Sequence, residues 1–170
     1  MKKFFAISIV LMAISAGVFA QATAQATATA TIVTPITITK TTDMSFGNII
    51  PSATLAGTVV LAPDGTPTYT NVTATALPSA TATISAASFD VGGTPDATYA
   101  ITLPTVALTL TGPGGATMTA DTFTSNPGAT GTLDGTGAEV LTVGATLNVA
   151  AAQAAGTYTS GNFDVTVNYN

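Results

Sequence analysis

The side chains that could carry chemistry in this 170-residue sequence are eight carboxylates and three lysines. There is no His, Cys or Trp, and the basic residues are Lys2, Lys3 and Lys40. Without an imidazole, a thiolate or a guanidinium, the sequence has no conventional base for a Ser nucleophile, no soft metal site and no bidentate clamp for phosphate. A net charge of −5 also opposes binding to a nucleic-acid backbone. We therefore expect no nucleic-acid partner, and any catalysis would depend on the carboxylates.

The carboxylates have the sequence context of turn residues rather than of a catalytic pair. A glycosidase holds two carboxylates at a fixed separation in a cleft. Here Asp64 and Asp134 each precede a Gly, and Asp96 follows a Pro, which is typical of Asp side chains that cap turns. We therefore assign no catalytic residue, no metal and no cofactor, and we predict that the protein is not an enzyme. The eight carboxylates are Asp43, Asp64, Asp90, Asp96, Asp121, Asp134, Glu139 and Asp164.

One segment, Asp134–Glu139, could contribute calcium ligands through its two carboxylates and a backbone carbonyl. Ca²⁺ takes about six to eight oxygen ligands, and this segment lacks the alternating acids of an EF-hand loop. The alternative is a plain hairpin loop, which the sequence favours.

Residues 1–20 have the pattern of a secretory signal peptide. Lys2 and Lys3 precede an apolar run, and Val18 and Ala20 occupy the positions before the expected cleavage site. The apolar run is short and no charged stop-transfer flank follows it, so we expect cleavage rather than a membrane anchor. The sequence therefore predicts an exported protein, in the periplasm, on the cell surface or outside the cell, with no membrane span after cleavage.

Two-residue alternation of apolar and polar side chains runs through much of the chain and predicts strands. From 24 to 38 the even positions are mostly Ala or Ile, and the odd positions are mostly Thr. A hydrophobic fraction of 46% with only 6% charged residues argues against disorder. The predicted strands are Ala26–Thr41, Gly57–Ala62, Thr68–Thr73, Ala80–Phe89, Thr98–Leu103, Val106–Thr111, Ala116–Thr124, Val140–Val149 and Thr157–Tyr169.

Clusters of Gly, Pro, Asn and Asp separate these strands as turns. Short strands at such intervals predict an all-β fold, an antiparallel immunoglobulin-like β-sandwich. We divide the chain into a signal peptide (1–20), an Ala/Thr-rich N-terminal extension (21–34) and a single β-sandwich domain (35–170). The Ala-rich stretch 150–155 is expected to form one or two helical turns. The predicted core residues are Tyr99, Ile101, Leu103, Val143, Leu147, Phe163, Val165 and Val167.

Three ordered parts of the sequence carry a resemblance to a known family. They are Ile36–Thr39 with Met44–Ile49 and Gly57–Leu61, then Ala97–Pro104, and finally Leu141–Leu147 with Gly156–Tyr158 and Phe163–Tyr169. Together they resemble the bacterial exported family known as domain of unknown function 4402. This resemblance implies an exported immunoglobulin-like β-sandwich with no established activity. The Phe46-Gly47 step is also similar to spore coat protein U and to chaperone–usher pilins, which implies a pilin-like fold, although pilins commonly carry a Cys pair that this sequence lacks.

Two hypotheses of function follow from export, a β-sandwich and the missing chemistry. The first is a non-catalytic exported structural or surface protein, a fimbria-like subunit that assembles by strand addition with copies of itself or with a periplasmic chaperone. The second is a secreted, adhesin-like binding module that recognises a glycan or a protein through its loops.

Both ends of the domain are candidates for such assembly. Pro35 interrupts the first strand pattern, so that Ala24–Thr34 could leave the domain while Ile36–Thr41 stays as the first strand. The last strand has four large side chains at every second position, as a strand capped by a chaperone would, although an ordinary core strand has the same pattern. The predicted assembly residues are Ile32, Ile36, Ile38, Phe163, Val165, Val167 and Tyr169.

Overall fold

A computed structural model describes residues 21–74 and 82–170, and in these residues the fold is all-β. The predicted signal peptide and the first two residues of the strand predicted at Ala80–Phe89 lie outside the described residues. One short 3-10 turn, Pro113–Gly115, is the helical element of the described part. The strands are β1 (Thr37–Thr42), β2 (Ser45–Phe46), β3 (Ile49–Pro51), β4 (Gly57–Leu61), β5 (Pro67–Thr70), β6 (Val72–Ala74), β7 (Ile84–Ser85), β8 (Ala87–Gly92), β9 (Thr98–Thr102), β10 (Leu108–Thr111), β11 (Thr117–Asn126), β12 (Thr130–Thr132), β13 (Ala138–Val149), β14 (Thr159–Ser160) and β15 (Thr166–Tyr169).

All strand pairs in the described residues are antiparallel, which confirms the prediction of an all-β, antiparallel fold. The largest sheet has eight strands in the order β1-β8-β13-β11-β10-β14, with β4 paired to β13 and β5 paired to β4. A three-stranded sheet has the order β12-β9-β15, and two further pairs are β2-β7 and β3-β6. The long strand β13 organises the large sheet, because β8 pairs with its first half and β4 with its second half.

The eight-stranded and three-stranded sheets share an apolar core, which makes the fold β-sandwich-like. Phe89 of β8 and Leu141 of β13 belong to one buried cluster with Tyr99 of β9 and Val167 of β15. A second cluster forms around Leu147 and Val149, at the other end of β13, and half-buried side chains of β2, β3 and β5 cover it. Every second residue of β13 enters this core, as the strand period requires.

The predicted core residues all lie in this interior. Those that are fully buried are Tyr99, Val143, Leu147 and Val167. Ile101, Leu103, Phe163 and Val165 are half-buried and pack against the first cluster.

The first and last strands differ from the prediction. The alternating segment that begins at Ala26 joins a ladder only from Thr37, because Ala side chains bury little apolar area and Pro35 cannot donate a ladder hydrogen bond. The segment predicted as one strand at Thr157–Tyr169 instead forms β14 in the large sheet and β15 in the small sheet. Residues 161–165 carry the chain from one sheet to the other.

The Ala-rich stretch 150–155 forms a turn rather than a helical turn. Its centre, Ala152, has a positive φ of 49° and donates its N–H to the Ser52 carbonyl at 2.7 Å. A helix is excluded there because the backbone of Ala152 is left-handed.

Candidate assembly site

A cluster of hydrogen bonds holds Thr34, at the border between the extension and the domain. The Tyr169 hydroxyl donates to the Thr34 carbonyl at 2.8 Å and accepts from the Thr94 N–H at 2.7 Å. The Thr34 N–H donates to Thr94 Oγ1 at 3.1 Å, and the Thr94 hydroxyl in turn donates to the Thr34 carbonyl at 3.3 Å. We call this group of three residues the Thr34 clamp. It ties the start of the domain to the last strand and to the β8–β9 turn.

The β8–β9 turn can take part in the clamp because Gly93 has no side chain. A Cβ at Gly93 would lie 2.2 Å from the Tyr169 hydroxyl, too close for any other residue without displacement of the tyrosine. The Gly93 N–H donates to the Gly137 carbonyl at 2.8 Å, which fixes the turn from the other side. Gly93 thus allows the close approach on which the clamp depends.

The residues before the clamp are exposed. Residues 21–32 contain no strand, and every one of them is exposed to solvent. Two large aliphatic side chains stand at the end of this segment: Ile32 is 97% exposed and Val33 is 57% exposed. The clamp therefore separates an exposed, uncharged segment from the packed domain.

Six of the seven predicted assembly residues pack against the first core cluster of their own domain. Val167 is fully buried there, and the other five are half-buried: Ile36, Ile38, Phe163, Val165 and Tyr169. Ile32 does not belong to this group. The side chains of the last strand are thus engaged in their own core, and what this strand can offer a neighbour is its backbone edge.

The edge strands β1 and β15 differ in how well they are protected against pairing with another chain. In the described residues, β1 pairs only with β8 and β15 only with β9. The β1 edge has a register shift between Lys40 and Thr42, and Lys40 forms an exposed ion pair with Asp43. Bulges and lysines are features that discourage edge-to-edge pairing. The β15 edge pairs in regular register with β9 over four residues and has no charged residue and no Pro.

The carboxylates with shifted pKa values act as turn caps. Asp134 Oδ1 accepts hydrogen bonds from the Thr136 hydroxyl at 2.6 Å, from the Thr136 N–H at 2.8 Å and from the Ala138 N–H at 3.0 Å. These bonds, the one from the Thr136 hydroxyl above all, lower the pKa of Asp134 because they favour the charged form. The Thr66 N–H lowers the pKa of Asp64 in the same way.

In the segment Asp134–Glu139, considered above for calcium, the two carboxylates bind different hydrogen-bond partners and do not face a shared site. Glu139 Oε2 accepts the Tyr99 hydroxyl at 2.8 Å and the Thr132 N–H at 2.9 Å, whereas Asp134 caps its own turn. This turn joins β12 to β13 and so connects two sheets, which differs from a hairpin loop. Within residues 21–74 and 82–170, no group of three or more Asp or Glu side chains could hold a metal ion.

A groove of about 440 Å³ lies at the ends of β4, β5, β11 and β13. Its lining is mixed: Thr58, Thr119, Asn71 and Asn148 stand beside apolar residues such as Met118. The Asn148 amide donates to Asp121 Oδ2 at 2.8 Å. No aromatic side chain lines the groove in the described part of the chain, so it can hydrogen-bond a ligand but cannot stack against one.

A family match covers most of the folded chain. The model of the family described as "Domain of unknown function (DUF4402)" matches residues 36–169. The chain belongs to the DUF4402 family. The DUF4402 match therefore includes β1 to β15 and begins two residues after Thr34. No curated protein and no solved structure shows a significant match to the chain.

Sequence reasoning did not find the clamp. Thr34 and Thr94 are 60 residues apart, and neither stands out in a sequence rich in Thr. The Gly92-Gly93 pair was the available signal, because adjacent glycines allow another part of the chain to approach closely. In residues 21–74 and 82–170, no helix has the length and apolar character needed to cross a bilayer.

Proposed function

We propose that this protein is a non-catalytic exported structural protein of the cell surface, a fimbria-like subunit that assembles by strand addition. Under this proposal residues 1–20 are a cleaved signal peptide and the domain is an immunoglobulin-like, pilin-like sandwich. Its partners are further copies of the chain and, before assembly, a periplasmic chaperone.

The observation that carries the proposal is the exposed segment 21–33 ending at the Thr34 clamp. The segment is uncharged, its side chains alternate with the period of a strand, and large aliphatic residues stand at its end. An isolated strand leaves its backbone hydrogen-bonding groups to water, and pairing with the edge of another sheet satisfies them. The segment therefore has the character of a strand that lacks a sheet.

The edge of β15 is the complementary feature. It is a regular edge without the lysine and the bulge of β1, and edges of this kind accept added strands. Because the side chains of β15 already fill their own core, addition there would use the backbone and would leave the domain folded. One copy would thus offer a strand and the next copy an edge.

The test is negative-stain microscopy of material sheared from cells with and without the gene. We expect fibres that require the gene, and we expect them to be lost when residues 21–33 are deleted while residues 1–20 are kept. The proposal is overturned if the exported protein is monomeric at all concentrations and the sheared fraction does not change with the gene.

A second candidate function, a secreted adhesin-like binding module, is supported by the groove at the ends of β4, β5, β11 and β13. Thr and Asn residues of its lining could hydrogen-bond the hydroxyls of a glycan. A glycan array probed with the exported protein tests this function. Binding that Asn148→Ala reduces, with the fold unchanged, would favour it over the structural role.

A further inference from the structure

The chain crosses between the two larger sheets twice at one corner of the domain. Residues 103–107 lead from β9 in the small sheet to β10 in the large sheet, and residues 161–165 lead from β14 back to β15. These two crossings lie side by side, because β9 pairs with β15 and β10 pairs with β14. The β9–β15 pairing ends at Thr102 and Thr166, and the β10–β14 pairing begins at Leu110 and Ser160. A gap in the ladder therefore separates the two crossings.

This gap forms an opening of about 350 Å³ whose lining is mostly apolar, with Thr105, Asn162 and Asp164 as its polar residues. Leu108 and Phe163 lie half-buried in its walls, and Val106 at its mouth is 77% exposed. The Phe163 ring packs on Phe123 with 5.4 Å between centroids, so the inner wall of the opening is continuous with the core. Among the described residues that line it, Asp164 is the charged one. We call this feature the corner opening.

The corner opening and the side chains of Ile32 and Val33 are thus apolar surfaces that both face water. We propose that the corner opening of one copy receives Ile32 of a second copy, an inference that rests on the proposed strand-addition function; Val33, the next residue, points to the opposite face of an added strand. The occupant is uncharged, which suits an opening whose described lining has one carboxylate. Moving the Ile32 side chain out of water supplies the hydrophobic driving force of the contact.

The position of the two features makes the contact head-to-tail. The corner opening adjoins the first residue of β15, Thr166, whereas the clamp, which begins two residues after Ile32, holds the last, Tyr169. The two ends of this strand are about 10 Å apart. A contact between unlike surfaces repeats from copy to copy and forms a filament unless its rotation closes a ring. Docking of Ile32 in the corner opening therefore explains how a chain without internal symmetry could form a fibre.

Cysteine cross-linking tests this contact, and the chain has no Cys of its own to interfere. The whole chain would be expressed with Ile32→Cys in one preparation and with Val106→Cys in another, and a short bis-maleimide would be added to the mixture. We expect a cross-linked heterodimer. A chain that carries both substitutions should give a ladder of dimers, trimers and longer products.

The matched control is Val140→Cys, because Val140 is also an exposed valine (59%) but lies on β13, away from the corner opening. Equal cross-linking of Ile32→Cys to both positions, or none to Val106→Cys while the parent assembles, overturns the docking contact and leaves the proposed function standing. A parent that stays monomeric at every concentration overturns both.

A charge at the mouth of the opening provides a second measurement. Val106→Asp should raise the concentration needed for half-assembly by roughly tenfold or more, because an unpaired carboxylate would enter an apolar contact. Val60→Asp, at an exposed valine of β4 that faces Thr146 and Thr68 across its neighbouring strands, should leave it within about twofold. Both sites are exposed, so neither change threatens the fold. Equal effects of the two substitutions would contradict the proposal.

Discussion

At the scale of single residues, two buried tyrosine hydroxyls, those of Tyr99 and Tyr69, differ in whether they form a hydrogen bond. The Tyr99 hydroxyl is buried with the core and donates to the carboxylate of Glu139, which also accepts the Thr132 N–H. The Tyr69 hydroxyl is buried as well, yet it has no hydrogen-bond partner among the described residues. A buried polar group without a partner loses the hydrogen bonds that it made to water in the unfolded chain.

Tyr99→Phe and Tyr69→Phe should therefore have opposite consequences. Tyr99→Phe removes a hydrogen bond to a charged group, and we expect the free energy of unfolding to fall by about 1.5–3 kcal/mol. Tyr69→Phe removes an unsatisfied hydroxyl, and we expect stability to stay equal or rise. Denaturant unfolding of the three proteins measures both changes, with the slope on denaturant checked for constancy. Equal losses of unfolding free energy in the two variants would contradict the conclusion that, of these two hydroxyls, only that of Tyr99 is hydrogen-bonded.

The raised pKa of Tyr99 also leads us to expect a loss of stability at alkaline pH. Burial, and then the hydrogen bond to Glu139, raise the pKa of Tyr99 well above its usual value of 10.0. The unfolded chain then releases this proton at a lower pH than the folded chain, so stability falls as pH rises through the unfolded pKa. Unfolding measured between pH 8 and roughly pH 11 should show a shallower fall in Tyr99→Phe than in the parent.

At the scale of elements, short irregular features determine where the strands send their side chains. In β11 the register against β13 shifts between Asp121 and Thr124, and Thr122 has a positive φ of 50°. Such a bulge re-aims the residues that follow it. Phe123 thereby points toward Phe163, next to the corner opening. The bulge thus positions a ring that packs on Phe163, a lining residue of the corner opening.

The turn after β13 carries strain that glycine would remove. Ala152 adopts the left-handed conformation, which an L-residue with a Cβ takes at a cost of roughly 1–2 kcal/mol. Ala152→Gly should therefore stabilise the protein by about 1 kcal/mol and raise its Tm by about 2–4 °C, as thermal unfolding would show. Ala151→Gly is the matched control, because Ala151 has no positive φ, and it should be neutral or destabilising. A lower Tm for Ala152→Gly would contradict the assignment of strain.

At the scale of the whole molecule, the chain divides at the clamp into a compact unit from Val33 to Asn170 and a separate N-terminal part. The folded unit has its own core and contains both larger sheets. Stability should therefore depend on where a truncation falls relative to Thr34.

A chain that starts at Thr34 should keep the parent's free energy of unfolding within about 0.5 kcal/mol, because the removed residues 21–33 are exposed. A chain that starts at Thr37 loses the clamp and also Ile36, which packs against the core, and it should be less stable by about 2 kcal/mol or more. Thermal and denaturant unfolding of the two truncations check this step. Equal stability of both would show that the clamp contributes nothing.

The sequence alone determined the all-β fold class, most of the strands and the side-chain types that the protein lacks. Alternation with a period of two is a local property, so Tyr99, Val143 and Val167 could be assigned to the core before any strand had a partner. Turn residues are local too, and for this reason Asp64 and Asp134 were recognised as caps. The resemblance to domain of unknown function 4402 rests on the same local motifs, and the family match over residues 36–169 confirms it.

Only the tertiary structure decided which strands pair, where the last segment divides and what holds Thr34. The alternation from Phe163 to Tyr169 is the same whether its residues form one strand or a crossing followed by β15, because the period does not record which sheet a residue joins. The clamp brings together Thr34, Thr94 and Tyr169, up to 135 residues apart, and no local pattern encodes such a contact. The corner opening likewise exists because two distant pairings stop at the same place, which depends on the register of both sheets.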